Sequence, residues 1–147
     1  MLAVTVADQL SKLWITTVLA PYEIVPVIPG FFNLTRITNT GAAFGLLGSA
    51  PPSVTRVIFV AVAVVALVVL GVFAWRSRHQ HRLVGIGIGL VAGGALGNLV
   101  DRVRLGAVID FLDFFLGSYH WPAFNLADSA ITVGVGCLLV VEFFVAR

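Results

Sequence analysis

Residues 54–75 read VTRVIFVAVAVVALVVLGVFAW, and that stretch decides the fold class. A helix needs roughly 20 apolar residues to cross a bilayer. This one meets the requirement almost without interruption, with Arg56 its single charge. Residues 83–100 and 126–145 are also long enough. Residues 1–20 form a fourth candidate, broken in the middle by Asp8, Gln9, Ser11 and Lys12. The whole chain of 147 residues agrees: 59% is hydrophobic and only 11% charged, which excludes an ordinary globular domain.

The first segment is irregular. Seven residues precede Asp8, too few to cross a membrane alone. If Asp8 lies near the outer face, part of helix 1 is missing from the chain as written. A signal peptide is disfavoured, because a basic start and an unbroken apolar core are both lacking.

Basic residues in short loops set orientation. Arg76, Arg78 and Arg82, with His79 and His81, fall between the second and third segments, and Arg147 follows the fourth. Both places are expected in the cytoplasm. Loops 21–52 and 101–125 are then extracytoplasmic. The net charge of +2 is mostly this topological signal. Basic residues are few and sit at membrane edges, so no nucleic-acid partner is expected. The lone Cys137 forms no framework, and no Cys/His spacing suits a metal.

Within the third segment Gly85, Gly89, Gly93 and Gly97 recur every fourth residue, a smooth face for close helix packing. The second segment, without charge between Arg56 and Arg76, reads as a lipid-facing support. In the first outer loop Pro29-Gly30 marks a turn and residues 31–38 a short strand. A small apolar run follows at 42–47. The second loop offers a strand at 107–111, then an interfacial stretch with Phe114, Phe115, Leu116, Tyr119 and Trp121.

Four polar clusters face one side of the membrane. Asp8 and Lys12 are four apart and can pair on a helix. Asn39-Thr40-Gly41 is turn-forming. Asn98, Asp101 and Arg102 share a helical face, where Arg102 can neutralise Asp101 or a neighbouring carboxylate. Asn125 can cap the fourth helix, with Asp128 in its first turn. Capping alone does not explain Asp110 and Asp113 in the same loop. Acids at a membrane edge are costly unless paired, wetted or protonated. Two that converge can share one proton, which supplies a base and an acid without a metal.

These clusters bring a family into view. The chain resembles the lipoprotein signal peptidases, or signal peptidase II, in five stretches in order: DQLSK (8–12), NTGAAFG (39–45), GALGNLVDR (94–102), VIDF (108–111) and WPAFNLADS (121–129). The resemblance implies a catalytic dyad at Asp110 and Asp128. It implies supporting or substrate-binding roles at Asp8, Lys12, Asn39, Gly41, Asn98, Asp101, Arg102, Asn125 and Ala127. Asp113 lies outside the matched stretches. The family's members are bacterial inner-membrane aspartic proteases. They cut prolipoproteins before a diacylglyceryl-modified cysteine and are inhibited by globomycin.

The expectation is therefore an all-α membrane protein of one domain, 1–147. It is a four-transmembrane-helix bundle with a small extracytoplasmic β-rich platform and a short interfacial helix. It is expected to act as a monomer without cofactor or metal, on lipidated precursors, in contact with membrane lipid. A small proton- or ion-conducting membrane protein is the alternative; that would spread its acids through membrane depth, whereas here they gather at one side.

Overall fold

A computed structural model describes residues 1–41 and 51–145. The run at 42–47, the last four residues of NTGAAFG (42–45) and Arg147 lie outside the described residues. Among the described residues are four α-helices: α1 (Leu2–Val18), α2 (Pro52–Arg76), α3 (Arg82–Leu105) and α4 (Leu126–Val140). The last runs on as a π-helical turn, Val141–Val145. Among the described residues, three helices are long and apolar enough to cross a membrane: α2, α3 and Leu126–Phe144. This is a multi-helix membrane protein.

Four strands complete the fold: β1 (Ile24–Ile28), β2 (Phe32–Asn39), β3 (Val108–Leu116) and β4 (Tyr119–His120). They form one antiparallel sheet in the order β1-β2-β3-β4. The two expected strands are present, and β3 runs five residues beyond its predicted end. The expected short interfacial helix is not found among the described residues. The interfacial stretch with Phe114, Phe115, Leu116, Tyr119 and Trp121 runs through the β3–β4 hairpin, with Phe115 stacked on His120.

In α1 the buried residues are Asp8, Lys12 and Ile15, a stripe at helical spacing. Leu2, Val6, Leu10, Leu13, Trp14 and Val18 point outward. The polar face is inside and the greasy face outside, as lipid demands. At the far end of α1, Ile15 and Leu19 pack with Ile109 and Phe111 beneath the sheet. In α2 only Thr55 is buried, which fits its lipid-facing role.

Of the four recurring glycines of α3, Gly89, Gly93 and Gly97 line the face toward α1, and Gly85 lies beyond its reach. Gly93 and Gly97 meet α1, at Val4 and Asp8, while Gly85 faces open space. A second pair, Gly87 and Gly94, meets α4 at Gly134 and Ala127. A Cβ on Gly87 would lie 2.9 Å from the Gly134 carbonyl oxygen. Close backbone approach of α3 and α4 sets the spacing of the site above.

Candidate active site

The sheet, the end of α3 and the start of α4 converge on one polar cluster. Gly106 ends α3 in the left-handed region (φ +76°), returning its N–H to the Arg102 carbonyl. The chain then enters β3 within two residues, and the Ile109 N–H donates to Asp101 Oδ2 at 3.3 Å. That contact pins β3 to α3 one residue before Asp110.

In β2 the register slips between Leu34 and Ile37, so two residues oppose Phe111 alone. A bulge of this kind bends and re-aims a strand. Beyond it, Asn39 pairs with Val108 and turns its amide to Asp110, donating from Nδ2 to Oδ2 at 2.9 Å. The Asn39 Oδ1 in turn accepts from the Gly41 N–H at 2.8 Å. Gly41 has φ +84°, and a Cβ there would strike the ring of Phe59 on α2.

Asn125 caps α4 in a full capping box: its Oδ1 accepts from the Asp128 N–H, and Asp128 Oδ2 accepts from the Asn125 N–H. Its other side-chain atom looks the opposite way. Nδ2 lies 2.8 Å from Asp110 Oδ1, with Asn98 Oδ1 and the Ile109 carbonyl slightly farther. Asn98 Nδ2 donates to Asp128 Oδ1 at 2.8 Å. All four carboxylate oxygens of Asp110 and Asp128 thus accept an N–H, and Asn125 touches both residues.

Asp110 is 2% exposed. Burial raises its carboxyl to about 6, and the nearby Asp128 charge adds to the rise. The Asn39 and Asn125 amides and the charge of Lys12 hold the shift back.

Below this pair lies a second layer. Lys12 Nζ is 2.9 Å from Asp8 Oδ2 and 2.8 Å from Asp101 Oδ2, and it donates to Asn98 Oδ1 at 3.0 Å. Asp8 Oδ1 accepts from the Ala127 N–H at 2.9 Å, fastening α1 to the first turn of α4. The predicted Asp8–Lys12 pair is present. Arg102 makes no ion pair with Asp101 among the described residues, though it lies within the field of Asp128, Asp110 and Asp101. Lys12 holds Asp101 instead, and the Arg102 guanidinium lies 5.0 Å from the centroid of the Phe59 ring. A helix-face argument sees only neighbours on α3, whereas the cation that reaches Asp101 comes from α1.

Two residues of the matched stretches without an assigned site role contribute as well. Gln9 donates to Asp101 Oδ1 at 2.8 Å and to the Gly97 carbonyl at 3.1 Å. Its position beside Asp8 was the available signal. Gly94 is the other, because Ala127 sits directly against it. A cavity of about 430 Å³, lined by Trp121, Phe124, Asp128, Ser129, Thr132 and Val133, opens beside Asp128. Clefts of about 460 and 490 Å³ lie at the opposite end near Gln80 and His81, away from the paired carboxylates.

A helical membrane protein that bridges two carboxylates through one asparagine has the equipment of an aspartic-type hydrolase. A family model described as Signal peptidase (SPase) II matches residues 1–144, and the chain belongs to that family. It is 50% identical over 129 residues to a lipoprotein signal peptidase of Desulforapulum autotrophicum, covering 87% of this chain and 79% of that one. One from Geobacter sulfurreducens is 49% identical over 92% of this chain and 83% of its own length. A solved bacterial membrane enzyme, determined in meso at 1.9 Å, superposes with a TM-score of 0.83 at 34% identity, covering 97% of this chain and 88% of that one. A second, at 2.3 Å, gives 0.80 at 34% identity over 95% and 82%. The chain is an aspartic-type signal peptidase, a multi-pass hydrolase of the inner membrane.

Proposed function

We propose that Asp110 and Asp128 are the catalytic dyad, and that the enzyme removes signal peptides from prolipoproteins by cutting before a diacylglyceryl-modified cysteine. The observation that carries this reading is the shared Asn125, which holds one carboxyl through Nδ2 and the other through its cap. With its carboxyl raised to about 6, Asp110 is the better holder of the single proton. Asp128, at a helix N-terminus and served by two N–H donors, suits the anion.

In hydrolysis, the Asp128 carboxylate takes a proton from water as its oxygen bonds to the scissile carbonyl carbon. Protonated Asp110 donates to the carbonyl oxygen. Collapse of the tetrahedral intermediate breaks the C–N bond. The departing amine takes the proton that water lost to Asp128, and the carbonyl oxygen returns its proton to Asp110. Asn39, Asn98 and Asn125 orient the carboxyls. Asp8, Lys12 and Asp101 tie α1 to α3, and Asp8 reaches the Ala127 backbone of α4. Gly41 supplies the turn behind Asn39, and Arg102 supplies positive charge through space.

The dyad faces the extracytoplasmic side, because Arg76, Arg78 and Arg82 occupy the opposite end of α2 and α3. We assign α1 as the fourth membrane helix. The cavity beside Asp128 receives substrate from the bilayer, where its acyl chains hold it at about 0.8 kcal/mol per CH₂ relative to water. The enzyme acts as a monomer and is inhibited by globomycin. The test is purified protein incubated with a diacylglyceryl-modified precursor and its unlipidated counterpart, with and without globomycin. Cleavage restricted to the lipidated precursor and blocked by globomycin supports the assignment. Equal cleavage of both precursors refutes the lipid requirement.

A further inference from the structure

Asp113 lies three residues along β3 from Asp110, so the two side chains leave opposite faces of the strand. It is 7% exposed. A buried carboxylate is costly unless its oxygens are served. Asn33 Nδ2 donates to Oδ2 at 2.8 Å, and His120 Nδ1 lies 2.8 Å from Oδ1. One carboxylate therefore joins β2, β3 and β4. The His120 ring is also stacked on Phe115, 4.8 Å between centroids and 9° from parallel.

The strand that His120 belongs to is only two residues long. Strands usually run to five or six residues, and so short a one holds its place weakly by its own ladder. Yet the chain that follows must be held well. The Trp121 N–H donates to the Phe114 carbonyl, the Phe124 N–H donates to the Leu112 carbonyl, and the Phe124 carbonyl accepts from Phe111 and Leu112. The next residue is Asn125, which touches both Asp110 and Asp128. The Asp113–His120 contact thus sits at one end of a strap along β3, and the site asparagine sits at the other.

We propose that Asp113 and His120 are positioning residues: braced by Asn33, their contact fixes the strap and so sets where Asn125 meets the two aspartates. The proposal rests on the dyad reading. It acts on geometry in the reacting site, where small misplacements cost large factors in rate. Asp113 and His120 do not themselves line the cavity beside Asp128, although Trp121 and Phe124 of the strap do.

The test is steady-state cleavage of a diacylglyceryl-modified precursor in detergent. Asp113→Ala and His120→Ala are expected to lower kcat on the order of tenfold, with KM nearly unchanged. His120→Asn places an amide N–H where Nδ1 stood and is expected to recover most of the loss. Asp113→Asn keeps the shape and gives an intermediate rate. It also stands in for Asp113→Ala should that variant not fold. Full kcat in His120→Ala and Asp113→Asn overturns the proposal. So does a rise in KM at unchanged kcat, or His120→Asn no better than His120→Ala. Asp110→Asn in the same assay separates the two readings. Normal turnover there defeats the dyad, whereas an inactive Asp110→Asn beside a fully active His120→Ala defeats the strap alone.

Discussion

Asn125 donates its side-chain amide to Asp110 across 2.8 Å. The other end of the same amide closes the cap around Asp128. One residue therefore starts a helix and ties together two carboxylates 18 positions apart in the chain. Neither job can be removed alone, which gives the first expectation.

Asn125→Ala loses the cap, worth about 1 kcal/mol, and releases Asp110 from a donor at the same time. Its melting temperature in detergent is expected to fall modestly. Its kcat is expected to fall on the order of a hundredfold. A stability loss with unimpaired turnover shows that the bridge does not matter to the chemistry.

Lys12 faces two carboxylates at 2.9 and 2.8 Å while only 2% exposed. Lys12→Met leaves both acids buried without their cation, a loss of about 3–5 kcal/mol. Adding Asp8→Asn and Asp101→Asn is expected to return part of it, since the charges needing a partner are then gone. Thermal unfolding of the single and triple variants checks this; a triple variant weaker than Lys12→Met contradicts it.

Asp110 makes stability depend on pH with a definite sign. Its carboxyl titrates at about 6 in the folded protein, against 3.8 ordinarily. Between those values the folded state binds more protons than the unfolded one. Stability therefore falls as pH rises through that window and levels off above it, by about 3 kcal/mol in all. Asp110→Asn cannot ionise and lacks this contribution. The difference in unfolding free energy between wild type and Asp110→Asn, followed from pH 4 to 7, is expected to shift in favour of the variant. A flat difference contradicts the raised carboxyl.

Each oxygen of Asp110 and Asp128 already accepts an N–H. Among the described residues no group of three or more His, Cys, Asp or Glu side chains is placed to hold a metal ion. Chelators are expected to leave the cleavage rate unchanged, and a loss restored by added zinc contradicts this.

The sequence showed more of the bundle than of the site. Three long helices follow from apolar length, and the Asp8–Lys12 pair and the Asn125 cap follow from local spacing. These are short-range rules that operate within one helix. Arg102 shows where they stop, because the true partner of Asp101 arrives from α1. The bulge in β2 that aims Asn39 leaves no mark in a strand pattern. The aromatic stretch that begins at Phe114 reads only as interfacial, and the turn that pairs Phe115 with His120 lies in its long-range partners. The glycine stripe of α3 meets α1 at Gly89, Gly93 and Gly97, whereas Gly87 and Gly94, which pack against α4, fall outside that four-residue repeat. Asp110 and Asp128 were legible as a pair only through their resemblance to a family.

The most direct measurement is cleavage of a diacylglyceryl-modified precursor by purified Asp110→Asn and Asp128→Asn, each first shown to insert and to melt cooperatively. Both variants are predicted to lose turnover completely while remaining folded in the membrane. Wild-type turnover in either one contradicts the assignment of the two carboxyls as the catalytic pair.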